Sequence, residues 1–209
     1  IIKVAKQEHE LLNHWVQKYQ LQGVISDNRF GLYNSQIPTV YLTHQITVLS
    51  GLTTWITSAI HQKIIKKFDQ CWVPDFEFAP NLSGKLSHDT NFDYSVKYIG
   101  PLSRFEKKEE QKIYDLLILL SGPEPQRTIF EKKILSQSKD FPKNTIFIKG
   151  NIENKQTLEV VNNLTVYNYL VSSELEKFLN QSKFVLARSG YTTIMDLIVL
   201  HKKAFLIPT

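Results

Sequence analysis

The sequence predicts an α/β fold of two units in series, each built on a parallel sheet with helices on both faces. Two observations predict it. Short, unbroken apolar segments of strand length alternate with longer segments of helical period, as expected of sheets buried on both faces. Gly100-Pro101 and the charged run 104–112 then interrupt that alternation midway, and it restarts beyond them. The expected boundaries are residues 1–100 for the first unit, 101–112 for a linker and 113–209 for the second.

Residues 4–20 open the chain as a helix, with Leu11, Leu12, Trp15, Val16 and Tyr19 at helical spacing. Gly23-Val24-Ile25-Ser26 reads as a short buried strand, and Asp27 to Gly31 as the loop at its end. Thr39-Val40-Tyr41-Leu42 is a second strand, opened by Pro38 and followed by His44 and Gln45. Residues 52–68 form a helix that gathers Leu52, Trp55, Ile56, Ala59, Ile60, Ile64 and Phe68 on one side. Cys71-Trp72-Val73 is a strand stopped by Pro74, residues 74–93 are mostly loop, and 96–99 form the last strand of the unit. In the second unit, strands at 114–120, 145–148, 166–168, 183–187 and 204–207 alternate with helices. Those helices are 123–138, with Ile129, Phe130, Ile134 and Leu135 inward, then 172–180 and 189–200.

Composition narrows the classes. At 42% hydrophobic and 11% aromatic, the 209 residues describe an ordinary globular protein. A net charge of +5 fits an anionic ligand or surface, or simply basic solvated faces. Clustered basic and aromatic stripes are missing, which argues against a nucleic-acid module. Cys71 is the single cysteine, a packing residue in an apolar run, and a cytoplasmic setting is the default. No run of roughly 18 apolar residues exists to span a bilayer. His9, His14, His61, His88 and His201 show no metal-ligand spacing with one another or with Cys71. The chain starts without Met inside a helical pattern and stops directly after a strand, so a fragment truncated at both ends is expected.

In parallel sheets, ligands bind where strands end and helices begin, which singles out two turns of the second unit. At Ser121-Gly122-Pro123 an apolar strand enters a turn whose glycine allows close approach, and free N–H groups at the helix start would favour an anion. At Arg188-Ser189-Gly190-Tyr191-Thr192-Thr193, Ser189 is a natural N-cap. The N–H groups after it, the helix dipole and the hydroxyls of Thr192 and Thr193 suit a diphosphate. Asp196 falls seven residues after Ser189, nearly two turns on, pointing the same way as the cap, with Ile194, Leu197 and Ile198 toward the core. A carboxylate so placed can accept two ribose hydroxyls. The plain alternative is a capped helix with a solvated aspartate.

The run Arg188-Ser189-Gly190-Tyr191-Thr192-Thr193-Ile194-Met195-Asp196-Leu197 resembles the C-terminal nucleotide-binding motif of MurG-like, family 28 glycosyltransferases. The resemblance implies a GT-B fold of two Rossmann-like units and a hexosyltransferase-type activity, inverting at the donor sugar. It further implies that Asp196 binds the ribose of a UDP-sugar, that the backbone at Tyr169 and Leu170 recognises the uracil, and that Ser121-Gly122 lies near the diphosphate and sugar. No cofactor or metal is implied. More weakly, Pro38 to Gln45 and Gly51-Leu52-Thr53 resemble the strand, loop and helix on the acceptor side. The family's Gly-rich first loop and its Gln-containing last loop have no counterpart here, and Asp196 stands where Glu is common.

Asp27, Asn28 and Arg29 either face that acceptor-side cleft or form a polar turn with Asp27–Arg29 pairing. His44 is a candidate general base or a structural histidine, and Gln45 lies beside it. Lys63, Lys66 and Lys67 form the basic rim of a buried face, or a patch for peripheral contact with the inner face of a membrane and a lipid-linked acceptor. Two rivals share the fold: a nucleotide-sugar 2-epimerase and a non-catalytic nucleotide-sugar-binding subunit.

Overall fold

The computed structural model describes residues 2–88, 92–152 and 155–208. Contacts divide the chain into two compact units, Ile1–Pro101 and Leu102–Thr209.

The first unit runs α1 (Ile2–Tyr19), β1 (Val24–Asp27), β2 (Thr39–Leu42), α2 (Thr54–Ile65), β3 (Gln70–Val73) and β4 (Val96–Tyr98). Its four strands lie in sequence order and all pair in parallel. Helix α1 stops where Gln20 turns left-handed at φ 52° and the Leu21 N–H returns to the Val16 carbonyl. It buries Leu12 and Val16 but leaves Leu11, Trp15 and Tyr19 outside.

Helix α2 departs further from expectation. Its buried residues are Ser58, His61 and Ile65, while Trp55 is 73% and Ile60 58% exposed. The helix is apolar nearly all round, so its periodicity selects no face. Polar contacts select it instead: Ser58 Oγ accepts the Val48 N–H at 3.0 Å, and His61 Nε2 meets the Tyr41 hydroxyl at 3.0 Å. Lys66 and Lys67 turn onto the rings of Phe92 and Tyr33. The core beneath joins Tyr41, Ile46, Ile65, Phe68, Cys71 and Val73. Burial pushes the Cys71 thiol up to about 12, which leaves it an unreactive filler.

The second unit runs β5 (Tyr114–Leu119), α3 (Gln126–Ser136), β6 (Thr145–Ile148), β7 (Leu158–Val161), β8 (Leu164–Tyr167), α4 (Ser172–Gln181), β9 (Ser182–Arg188), α5 (Tyr191–Val199) and β10 (Lys203–Ile207). The strand order is β10-β9-β5-β6-β8-β7, with β7 the antiparallel member. That hairpin is absent from the sequence expectation; it turns at Asn162, whose φ is 53°. One face is packed around Leu117, Val185, Leu179 and Leu197, the other around Ile118, Phe147, Val166 and Ile134. Ile129, expected inward, is 62% exposed, and on α5 it is Met195 and Leu197 that are buried.

Of residues 101–112, expected as a linker, 102–112 belong to the second unit. Phe105 joins its core, and the buried amide of Asn180 accepts the Lys108 N–H at 3.1 Å and donates to the Glu106 carbonyl at 3.0 Å. The charges that make the segment read as a linker decorate its outer side.

Beyond β3 the loop is tied to Asp75, which is fully buried. Its carboxylate accepts the N–H groups of Phe76, Leu82 and Ser83 and the Ser83 hydroxyl, with His88 Nε2 3.2 Å away. Burial raises its pKa, but those hydrogen bonds together outweigh burial and hold it below the ordinary 3.8. A depressed folded-state pKa gives stability that is complete above the unfolded value and is lost as pH falls through the folded one. Asp75→Asn should therefore cost about 2–3 kcal/mol at neutral pH, a deficit that shrinks below about pH 4, in urea unfolding curves at both pH values. An equal loss at both would show that the charge does not hold the loop.

Candidate functional site

Where strand succession in a parallel sheet reverses, the loops leaving the two central strands diverge and open a crevice at their carboxyl ends. In the second unit the reversal lies between β5 and β9, because the chain proceeds from β5 to β6 on one side and returns to β9 on the other. Both turns singled out from the sequence leave the sheet there. They enclose a hollow of about 550 Å³ lined by Ser121, Gly122, Arg188, Gly190, Tyr191, Thr192 and Thr193, with Pro123 and Gln126 at its edge.

Arg188 joins the two turns. It is only 7% exposed, and its Nη1 donates to the Ser121 carbonyl at 3.1 Å. The guanidinium lies against Gly122, where an added Cβ would come within 2.0 Å of Nη1; Gly122 also holds a φ of +105°, open to glycine almost alone. No carboxylate pairs with Arg188 among the described residues. A buried cation without a counter-ion is costly, and here it borders a hollow.

The helix amino ends of this unit differ in what fills them. At α3, Glu124 accepts the N–H and hydroxyl of Thr128 and pairs with Arg127, so the anion foreseen there is supplied by the protein itself. At α4, Glu174 accepts the Val171 N–H at 3.2 Å. At α5, no side chain caps the end. Its N-cap is Gly190 and not Ser189. The Ser189 N–H donates to the Ile207 carbonyl at 2.9 Å, which continues the β9–β10 ladder and delays the helix to Tyr191. The first helical bond runs from Ile194 N–H to the Gly190 carbonyl, and the N–H groups of Thr192 and Thr193 have no partner among the described residues. The hollow therefore meets one open helix end and one unpaired guanidinium, both positive.

Asp196 lies outside that lining. Its Oδ1 accepts the Ser103 hydroxyl at 2.6 Å, and burial raises its pKa against the opposing influence of Ser103 and Arg104. Ser103 is a neighbour no sequence spacing could reveal, 93 positions away. Tyr169 and Leu170 follow β8, with the Tyr169 N–H held by Asn168 Oδ1 at 3.0 Å and Leu170 packed against the core.

In the first unit, Asp27, Asn28, Arg29 and Gln45 are exposed at the ends of β1 and β2. Arg29 pairs with Glu8 of α1 at 2.5 Å, which corrects the expected Asp27–Arg29 pairing: Glu8 also accepts the Gly31 N–H and so holds the whole loop. His44 is half-buried; burial lowers its pKa while Asp27 opposes. Asn28 and Gln45 share a hollow of about 470 Å³ with Phe30, Ile60 and His61. His61 was passed over in the sequence; its signal was being polar, three positions from Ser58, on a helix of mixed polar and apolar residues. Among the described residues no group of three or more His, Cys, Asp or Glu is placed to hold a metal ion, and no helix is long and apolar enough to cross a membrane.

No family model and no curated protein matches this chain. Solved structures do. S. aureus MnaA, in a co-structure with UDP, superposes with a TM-score of 0.61 at 11% identity, covering 99% of this chain and 64% of that one. The glycosyltransferase SnogD from Streptomyces nogalater gives 0.54 at 10% identity, covering 99% and 60%. The chain thus has a GT-B-like α/β fold and spans less than two thirds of the length of either neighbour.

The two glycines of the hollow should respond differently to a methyl group. At Gly190, φ is −67° and an added Cβ meets nothing nearer than Thr193 Oγ1 at 3.8 Å, so Gly190→Ala should stay within about 0.5 kcal/mol of the parent. Gly122→Ala should lose more than about 1 kcal/mol. Thermal unfolding compares them; equal midpoints would mean that Arg188 does not press on Gly122.

Proposed function

We propose that the chain carries the nucleotide-sugar half of a glycosyltransferase site and part of the acceptor half, with a UDP-sugar as donor and an acceptor hydroxyl as the group glycosylated. The observation that carries this reading is the buried, carboxylate-free guanidinium of Arg188 beside the uncapped amino end of α5. A diphosphate supplies the missing counter-charge, and its oxygens accept from the N–H groups and hydroxyls of Thr192 and Thr193. The same donors then offset the charge that builds on the departing nucleotide. The absence of side chains at Gly122 and Gly190 lets the phosphates approach the backbone. The fold likeness to a UDP-bound MnaA and to the glycosyltransferase SnogD supports the donor class.

In this reading the loop at Tyr169 and Leu170 takes the base through its backbone. Asp196 takes the ribose by exchanging the Ser103 hydroxyl for a sugar hydroxyl of the same chemistry. On the acceptor side, His44 is the candidate base, kept neutral near pH 7 because burial lowers its pKa. Asp27, Asn28, Arg29 and Gln45 line the approach to it. Peripheral contact with the cytoplasmic face of a membrane, with a sugar or lipid-linked acceptor, draws support from exposed Trp55, Ile56 and Ile60 on α2 near Lys63.

Calorimetry with UDP tests the donor site. Asp196→Ala should weaken UDP by about 1–3 kcal/mol with the fold intact, and 2′-deoxy-UDP should bind the parent less tightly than UDP but the variant equally. Unchanged affinity in Asp196→Ala removes the ribose role; no UDP binding by the parent removes the reading. Incubating a UDP-sugar without acceptor separates the rivals, since free UDP with a rearranged sugar marks a 2-epimerase, and binding without turnover marks a binding subunit.

A further inference from the structure

Asn168 follows β8, is 7% exposed, and ties together three segments of the second unit. Its Oδ1 accepts the Thr157 N–H at 2.7 Å and the Tyr169 N–H at 3.0 Å, and its Nδ2 donates to the Lys155 carbonyl at 2.9 Å. Its own carbonyl accepts the Asn151 N–H at 2.7 Å. The loop after β6, the lead-in to β7 and the loop after β8 therefore hang on one residue. The partners also fix which way the amide points, since a reversed amide would set its NH₂ against two N–H groups. Gln156 adds a second tie, donating to Glu174 Oε2 at 3.1 Å, the oxygen that also accepts the Val171 N–H. The loop from β8 to α4 is thus pinned at Tyr169 by Asn168 and at Val171 by Glu174. Between the pins, the N–H and carbonyl of Leu170 have no hydrogen-bond partner among the described residues.

We propose that Asn168 is a positioning residue for base selection, holding the Leu170 N–H and carbonyl where they read the hydrogen-bonding edge of the base. This rests on the sugar-nucleotide reading above, in which that loop takes the base. The topology suits it. Strands β5, β6 and β8 pair in parallel, so the loop after β8 leaves the same edge of the sheet as the turn at Ser121. The two loops are separated by two strand spacings, or about 10 Å, which a nucleoside bridges. Uracil presents a donor beside an acceptor, and one backbone N–H with one carbonyl answers both. Such a pair discriminates between bases only if its direction is fixed, because hydrogen bonds weaken steeply when misaligned. The N–H groups on either side are spent on Asn168 and Glu174, so they offer no competing donor. Asn168 itself touches no base and acts through the loop.

Calorimetry on the full chain compares UDP, ADP and inorganic pyrophosphate. The parent should bind UDP about tenfold more tightly than ADP. Asn168→Ala should lower UDP affinity about tenfold, to the level of ADP, while ADP and pyrophosphate bind as before; a purely structural role would weaken all three together or none. Asn168→Asp keeps both acceptor bonds and should retain most of the preference. In the parent, the Leu170 amide signal should move with UDP and stay in place with pyrophosphate, a readout independent of whether Asn168→Ala folds. An unchanged UDP preference in Asn168→Ala, a parallel loss of pyrophosphate, no preference in Asn168→Asp, or a Leu170 amide unmoved by bound UDP overturns the proposal. Pyrophosphate binding without preference for UDP over ADP would remove the base role and keep the diphosphate site. A parent that binds neither UDP nor pyrophosphate would remove the sugar-nucleotide reading, and this role with it.

Discussion

Arg188 ends the strand next to the centre of the six-stranded sheet, folds back under Gly122 and donates to the Ser121 carbonyl. The contact fixes the distance between the two turns that leave β5 and β9, and with it the shape of the crevice. It also fixes where the positive charge sits. A side chain on Gly122 would displace the guanidinium, and a carboxylate nearby would neutralise it; the described residues provide neither. The crevice is therefore shaped and charged by one residue held from two sides, and the open end of α5 adds its dipole to the same place.

Several polar groups of the surrounding structure are occupied. Glu124 and Glu174 fill the amino ends of α3 and α4, Asn180 ties residues 106–108 to α4, and Ser103 holds Asp196. In the first unit, Asp75 gathers the loop after β3 and Glu8 gathers the loop after β1. Against this background, Arg188, which no carboxylate pairs among the described residues, marks where the second unit has interaction left for something else.

The alternation of apolar strands with helices was legible because burial on both faces leaves a continuous apolar run, and nine of the ten strands among the described residues follow from it. The tenth, β7, was not, since its outward apolar residues, Leu158 and Val160, lack that signature and only the Asn162-Asn163 turn announces it. The face of α2 was illegible for the opposite reason, an excess of apolar residues, and was settled by hydrogen bonds from Ser58 and His61 that no periodicity encodes. At the hollow, the sequence placed Ser121, Gly122 and residues 188–193 at strand ends, where the sheet brings them together. It misplaced the cap, because the β10 ladder reaches Ser189, and it could not foresee Ser103 on Asp196, a contact made through tertiary structure alone.

The claim that the Arg188 crevice receives a nucleotide diphosphate is tested most directly by backbone amide shifts of the ¹⁵N-labelled chain during addition of UDP and, separately, uridine. The account predicts that UDP moves Gly122, Gly190, Thr192, Thr193 and the Arg188 Nε–H together, and that uridine, lacking phosphate, leaves them in place. Saturable UDP binding that leaves those five signals unmoved would contradict it.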